Sequence, residues 1–259
     1  MIIRLPPPAP LAGVMPCPDD LVPDCGMIDR RSAIIPAAVN VPFWSRYACP
    51  ADDQGQEASC VGRAWAGWVE IMIRAYISPT VIPQGSQIDA RAIWRRGREM
   101  FWGGALTGGL YLHQGLAAAV NLGILPPGTA PIRVDGSRES LGAALVQAPI
   151  VQANVVSAGW YAPLPENGFI SSSKPPDAGK YGLHATLLLE RAWQQERCFV
   201  LLQNSWGKDW GWHGLGLMGY RSWFESLAAN SLYSAQAPGW PTWRGWENYV
   251  IRVDAVNKE

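Results

Sequence analysis

Between Val61 and Tyr76 apolar residues fall at 61, 64, 65, 68, 72, 75 and 76, the spacing of one helix face, interrupted only by Gly62 and Gly67. The pattern predicts a helix that starts at Cys60. A second helical pattern covers 88–102, and a third covers 112–122 with Gly123 placed to cap it and Pro126-Pro127 closing the region. Past residue 130 or so the period shortens, and 149–156, 185–190, 199–203, 215–220 and 249–253 read as strands. Residues 1–34, with turn signals at Pro16, Pro18, Pro23 and Gly26, read as an extended N-terminal arm, and 165–180 as a loop. Helices followed by strands predict one two-lobed domain over 35–259, helical over about 50–130 and β over about 131–259, with a cleft between the lobes.

Composition narrows the class. A chain of 259 residues with 48% hydrophobic and 16% charged residues buries a sizeable core and is not a disordered segment. Lys plus Arg and Asp plus Glu both number 21, without a run of one sign, which argues against nucleic acid as a partner. The start, Met1-Ile2-Ile3-Arg4-Leu5 and three prolines, carries neither a secretory signal nor a spanning segment. No membrane association is expected, and the protein is either cytoplasmic or delivered by a non-classical route such as a virion.

Five cysteines, at 17, 25, 49, 60 and 198, leave at least one thiol unpaired. Cys60 is the choice for it. Cys17 and Cys25 either bridge locally or stand as ordinary thiols, the simpler reading. No Cys-x-x-Cys pair or histidine cluster suggests a metal, and no cofactor is called for.

Cys60 at a helix start has chemical content. The unsatisfied N–H groups and partial positive charge there favour thiolate over thiol. Its base is sought among three histidines: His113 falls in a helical stretch and His213 in a glycine- and tryptophan-rich turn, whereas His184 opens a strand. If 184–192 and 196–204 form a hairpin centred on Gln194, His184 and Asn204 face each other across the strands, roughly 4.5–5.5 Å apart. The Asn204 amide then accepts one ring N–H and leaves the other nitrogen for the thiol, with Trp206 shielding the bond.

Gln54-Gly55-Gln56 through Ser59-Cys60, then His184-Ala185, then Asn204-Ser205-Trp206-Gly207-Lys208-Asp209-Trp210-Gly211 with Gly214, resemble the papain-like cysteine peptidases in order, spacing and type. Ile35-Pro36-Ala37-Ala38-Val39-Asn40 resembles the opening of the mature domain, so the likeness covers most of 35–220. It implies a two-lobed α+β fold and a peptide or protein substrate. Cys60 would be nucleophile, His184 its ion-pair partner, Asn204 the orienter, and Gln54 with the Cys60 backbone N–H the oxyanion hole. Gly108-Gly109 is similar to the family's cleft-lining pair, although a plain turn explains two glycines as well. Leu183 and Ala185 flank the histidine as the family's specificity-pocket residues do, which implies an apolar pocket.

Two positions depart from the family. Val61 replaces the tryptophan that usually follows the nucleophile, and Glu57 stands where papain has a disulfide cysteine. Glu57 could tune the thiolate or accept a basic substrate group; a solvated surface carboxylate is the simpler reading. The 34 leading residues are too few for the long inhibitory pro-segment usual in secreted members, leaving location, a partner or the short arm to control activity. The 14 tryptophans are expected in the core. Exposed ones could instead bind sugar rings, which keeps open a cell-wall peptide hydrolase carried on a bacterial or phage structure. A non-catalytic module of the same shape is the third reading.

Overall fold

The helix expected from Cys60 onward is formed. In the computed structural model, which describes residues 44–49, 51–83, 85–161, 163, 168–170, 182–194, 197–240 and 242–252, α1 runs Cys60–Tyr76. The arm, the 35–40 segment, Cys17, Cys25 and most of the 165–180 loop lie outside the described residues. Helix α1 buries more than one face: Trp65, Trp68, Val69, Ile71 and Ile73 are all fully covered. Two of its tryptophans pair their indole N–H groups inside the core, Trp65 with Leu112 O at 2.7 Å and Trp68 with Pro149 O at 3.0 Å. Each ring thus enters the interior without leaving an unpaired donor.

Helix α2 is Ala90–Trp102, started by the Asp89 carboxylate accepting Ala92 N at 2.9 Å and ended by Gly103 in the left-handed region at φ 63°. Helix α3 is Leu112–Asn121, followed by Gly123 at φ 78°. Both glycine stops fit the residue's tolerance of positive φ. Helix α1 packs against α2, α3 and the sheet. The α1–α2 approach requires Gly62, because a Cβ there would collide with Ala90 O.

A six-stranded antiparallel sheet forms the second part. In spatial order it runs β2 (Ala130–Arg133), β7 (Leu227–Gln236), β3 (Ile150–Val155), β4 (Leu183–Gln194), β5 (Arg197–Gln203) and β6 (Leu215–Gly219). A separate two-stranded sheet pairs β1 (Ser86–Ile88) with β8 (Val250–Arg252), so the strand expected near 250 returns to the edge of the helical half. Helix α4 (Arg138–Gln147) precedes β3, and α5 (Tyr220–Ser226) joins β6 to β7.

The differences from expectation have identifiable causes. Strand β7, between β2 and β3, is Leu-Ala-Ala-Asn-Ser-Leu-Tyr-Ser-Ala-Gln, poor in β-branched residues, and is made a strand by its neighbours. Strand β6 stops at Gly219 because Tyr220 opens α5. The β4–β5 turn is also displaced: Gln194 pairs with Arg197 and Trp193 with Cys198, and a bulge lies between Leu188 and Glu190. Gln203 consequently faces Leu187, and His184 and Asn204 are not cross-strand partners. The residue directly opposite His184 is Asn154 on β3. Tryptophans mostly fill the core, with Trp44, Trp65, Trp68, Trp160, Trp223 and Trp246 fully buried, while Trp212 is 50% exposed.

Candidate active site

Cys60 is the first residue of α1 and is completely buried. Burial pushes its thiol up to about 12, against the backbone N–H groups of Ala185, Val61 and Cys60, which reach the sulfur and favour the anion. Two of those groups belong to the helix N-terminus and the third follows His184, so the contact joins α1 to the start of β4. Among the described residues Cys49, Cys60 and Cys198 are all free thiols.

His184 meets Asn204 despite the shifted register. Asn204 follows the last residue of β5, its N–H bonding Gly214 O at 3.0 Å, and its Oδ1 lies 2.6 Å from His184 Nε2. The same oxygen accepts Ser205 N at 2.7 Å. A backbone N–H can only donate, so that amide atom is the oxygen; an oxygen can only accept, so Nε2 carries the ring proton. Nδ1 therefore holds the lone pair. Burial lowers the ring to about 4, and the Asn204 bond acts in the opposite sense. Among the described residues the Asn204 Nδ2 group is buried without a partner.

Aromatic rings enclose this pair. The Trp206 ring is centred 4.7 Å from His184, and Trp160 stands edge-on at 6.3 Å. Tyr161 stacks on Trp206 at 5.3 Å, and Trp210 donates its indole N–H to Trp160 O at 2.7 Å. With His184 and Asn204 only 4% and 3% exposed, their hydrogen bond is made in a dry, low-dielectric setting.

Gln54 is tied to the strip that follows Asn204. Its backbone N–H bonds Ser205 O at 2.9 Å, its Oε1 accepts Ser205 Oγ at 2.5 Å, and Gly207 N bonds Asp52 O at 3.0 Å. Its Nε2 donates to Glu57 O at 2.8 Å, which leaves the second amide hydrogen uncommitted among the described contacts. Contacts thus run from Cys60 through Ala185 to His184, on to Asn204 and Ser205, and back to Gln54. The four residues singled out from spacing converge on one place. A small cavity adjoining it is lined by Arg63, Glu70, Ala185, Gln203 and Asn204.

The other expected site residues are placed as follows. Gly108 has φ 88° and accepts Trp94 Nε1 at 3.2 Å, and buried Gly109 accepts Arg98 Nη1 at 3.0 Å. The turn alone requires glycine at 108. Leu183 is half-buried opposite Val155, and Ala185 is buried opposite Ala153. Glu57 is not a solvated carboxylate: its oxygens lie 2.6 Å from Arg91 Nη2 and 3.7 Å from Arg63 Nη2. Arg63, with a side chain 4% exposed, also pairs with Asp52. Sequence reasoning missed this cluster. An arginine set amid the apolar positions of α1 was the available signal, since a buried guanidinium requires partners.

No family model matches the chain, and no curated protein gives a significant match. Solved structures do. Digestive procathepsin L 3 of Tenebrio molitor larval midgut superposes with TM-score 0.60 at 17% identity over 79% of this chain and 71% of that one. Xylellain, a cysteine protease from Xylella fastidiosa, gives 0.59 at 18% over 88% and 97%. A structure addressing the mite allergens Blo t 1 and Der p 1 gives 0.58 at 19% over 78% and 73%. The chain has the two-lobed α+β fold of the papain-like cysteine proteases. No helix among the described residues is long and apolar enough to cross a membrane.

Proposed function

We propose that the protein is a cysteine peptidase that hydrolyses peptide bonds through a thioester. One observation carries the reading: the His184 ring is held by Asn204 through Nε2, with Nδ1 unprotonated, where the following residue's N–H touches the Cys60 sulfur at a helix N-terminus. Cys60 Sγ passes its proton to His184 Nδ1 and attacks the substrate carbonyl, whose oxygen becomes an anion held by the free Gln54 amide hydrogen and the Cys60 N–H. The imidazolium protonates the leaving amine as the C–N bond breaks. Water, losing a proton to His184, then attacks the thioester, and the tetrahedral adduct collapses to a carboxylic acid and the free thiol. Burial opposes charge on each partner, which favours the thiol and the neutral ring before substrate arrives.

A small peptidyl epoxide tests the reading. Cys60 should be labelled much faster than Cys49 or Cys198, with parallel release of amine from a fluorogenic peptide. Slow labelling at all three thiols favours a non-catalytic module. The exposed Trp212, two residues after Trp210 and with its ring 5.8 Å from that of His213, supports cell-wall peptides as a second substrate class. Lysis of purified walls against digestion of casein separates the two.

A further inference from the structure

The chain from Asp52 to Cys60 has to place two groups at once, the Gln54 amide and the sulfur. Its first end is set by the backbone bonds to 205–207 and its last by the start of α1. Glu57 lies between them and is held in a way that a surface carboxylate is not. Its main chain closes a turn with Gln54, since Glu57 N donates to Gln54 O at 3.1 Å while Glu57 O accepts Gln54 Nε2 at 2.8 Å. Its carboxylate reaches two helices, Arg91 of α2 at 2.6 Å and Arg63 of α1 at 3.7 Å, and accepts Ser59 Oγ at 3.4 Å. Ser59 Oγ in turn accepts Arg63 Nε at 3.1 Å.

Resting on the peptidase reading above, we infer that Glu57 is a positioning residue for the oxyanion donor: by clamping its own turn to α1 and α2 it fixes which way the Gln54 amide hydrogen points. The physics is geometric. An amide with one hydrogen bonded to a main-chain oxygen has its second hydrogen fixed in the same plane, so its aim moves with the Glu57 backbone. That backbone is anchored through the side chain, because the Arg91 bond at 2.6 Å is short and directional and the Arg63 guanidinium, 3.7 Å away, is withdrawn from competing water. A carboxylate already shared by two guanidinium groups is also a poor receptor for a substrate cation, which removes the specificity role that its bare position suggested.

Glu57→Ala and the half-exposed Arg91→Met are compared with wild type on three readouts: peptide turnover, affinity for a peptide aldehyde, and alkylation of Cys60 by iodoacetamide. The aldehyde adduct and acylation both develop an oxyanion; alkylation does not. Turnover and aldehyde affinity should fall about tenfold or more in Glu57→Ala and several-fold in Arg91→Met, with alkylation within about twofold of wild type. In a Gln54→Ala background, Glu57→Ala should add nothing further. Unchanged aldehyde affinity in both folded variants, an equal loss in alkylation, or full additivity with Gln54→Ala overturns the inference. Wild type that neither binds the aldehyde nor alkylates preferentially at Cys60 removes the peptidase reading and this inference together, a result distinct from the other three.

Discussion

Replacing Asn204 by alanine removes one oxygen that serves two donors. His184 Nε2–H at 2.6 Å and Ser205 N–H at 2.7 Å both lose their acceptor, at a site where neither residue is open to water. Each buried donor left unpaired costs about 1–3 kcal/mol, and the substitution also deletes the one partnerless Asn204 Nδ2, so a net destabilisation of about 1–3 kcal/mol follows. Catalysis loses a comparable amount. A hydrogen bond to a group that becomes a cation contributes about 1.5–3 kcal/mol, so turnover should fall about ten- to hundredfold. The sign of the pH effect is set by the same bond. Asn204 raises the ring against the lowering by burial, so without it the ring holds a proton less readily, and the acid limb of kcat/KM, where protonation removes the base, moves to lower pH. Asn204→Asp, which keeps an acceptor and adds a negative charge, moves that limb upward. The assay is kcat/KM across pH, normalised to epoxide-titrated sites, beside a thermal melt. A wild-type rate and unmoved limbs in folded Asn204→Ala would refute the orienting role.

Three other outcomes follow from the same geometry. Gln54→Ala should lose roughly 2–4 kcal/mol of transition-state stabilisation while Cys60 alkylation keeps its rate; near-normal turnover excludes Gln54 as an oxyanion donor. In His184→Ala the thiol, pushed up to about 12 by burial, has no base, so epoxide labelling of Cys60 at neutral pH should almost cease, and persistence at the wild-type rate assigns activation elsewhere. Because the folded ring is lowered from 6.5 to about 4, its contribution to stability is complete above pH 6.5 and is lost as pH falls through 4. Wild type should therefore lose roughly 3 kcal/mol more than His184→Gln between pH 7 and pH 4 in urea unfolding, and equal losses contradict the burial effect.

The helical half was legible because α1 and α3 carry regular apolar spacing and the residues that stop α2 and α3, Gly103 and Gly123, accept positive φ for local reasons. The candidate site was legible too, since Gln54, Cys60, His184 and Asn204 keep a spacing and order that do not depend on knowing the strand register. The route by which His184 reaches Asn204 was not. A turn displaced past Gln194 and a bulge after Leu188 moved the pairing, and a side chain beyond the end of β5 made the contact instead. Strand β7 was invisible because its residues have little β preference of their own.

Residue types and their order along the chain were thus enough to single out Cys60, His184, Asn204 and Gln54 as candidates for nucleophile, base, orienter and oxyanion donor, because each role demands particular chemistry. The tautomer of His184, the burial of Cys60 and the clamp on Glu57 required the folded chain. Each depends on atoms from segments far apart in the chain, such as Arg63 on α1 and Arg91 on α2 closing on one carboxylate. Periodicity reports which face of an element is apolar; it carries no information about which distant charge will be brought against it.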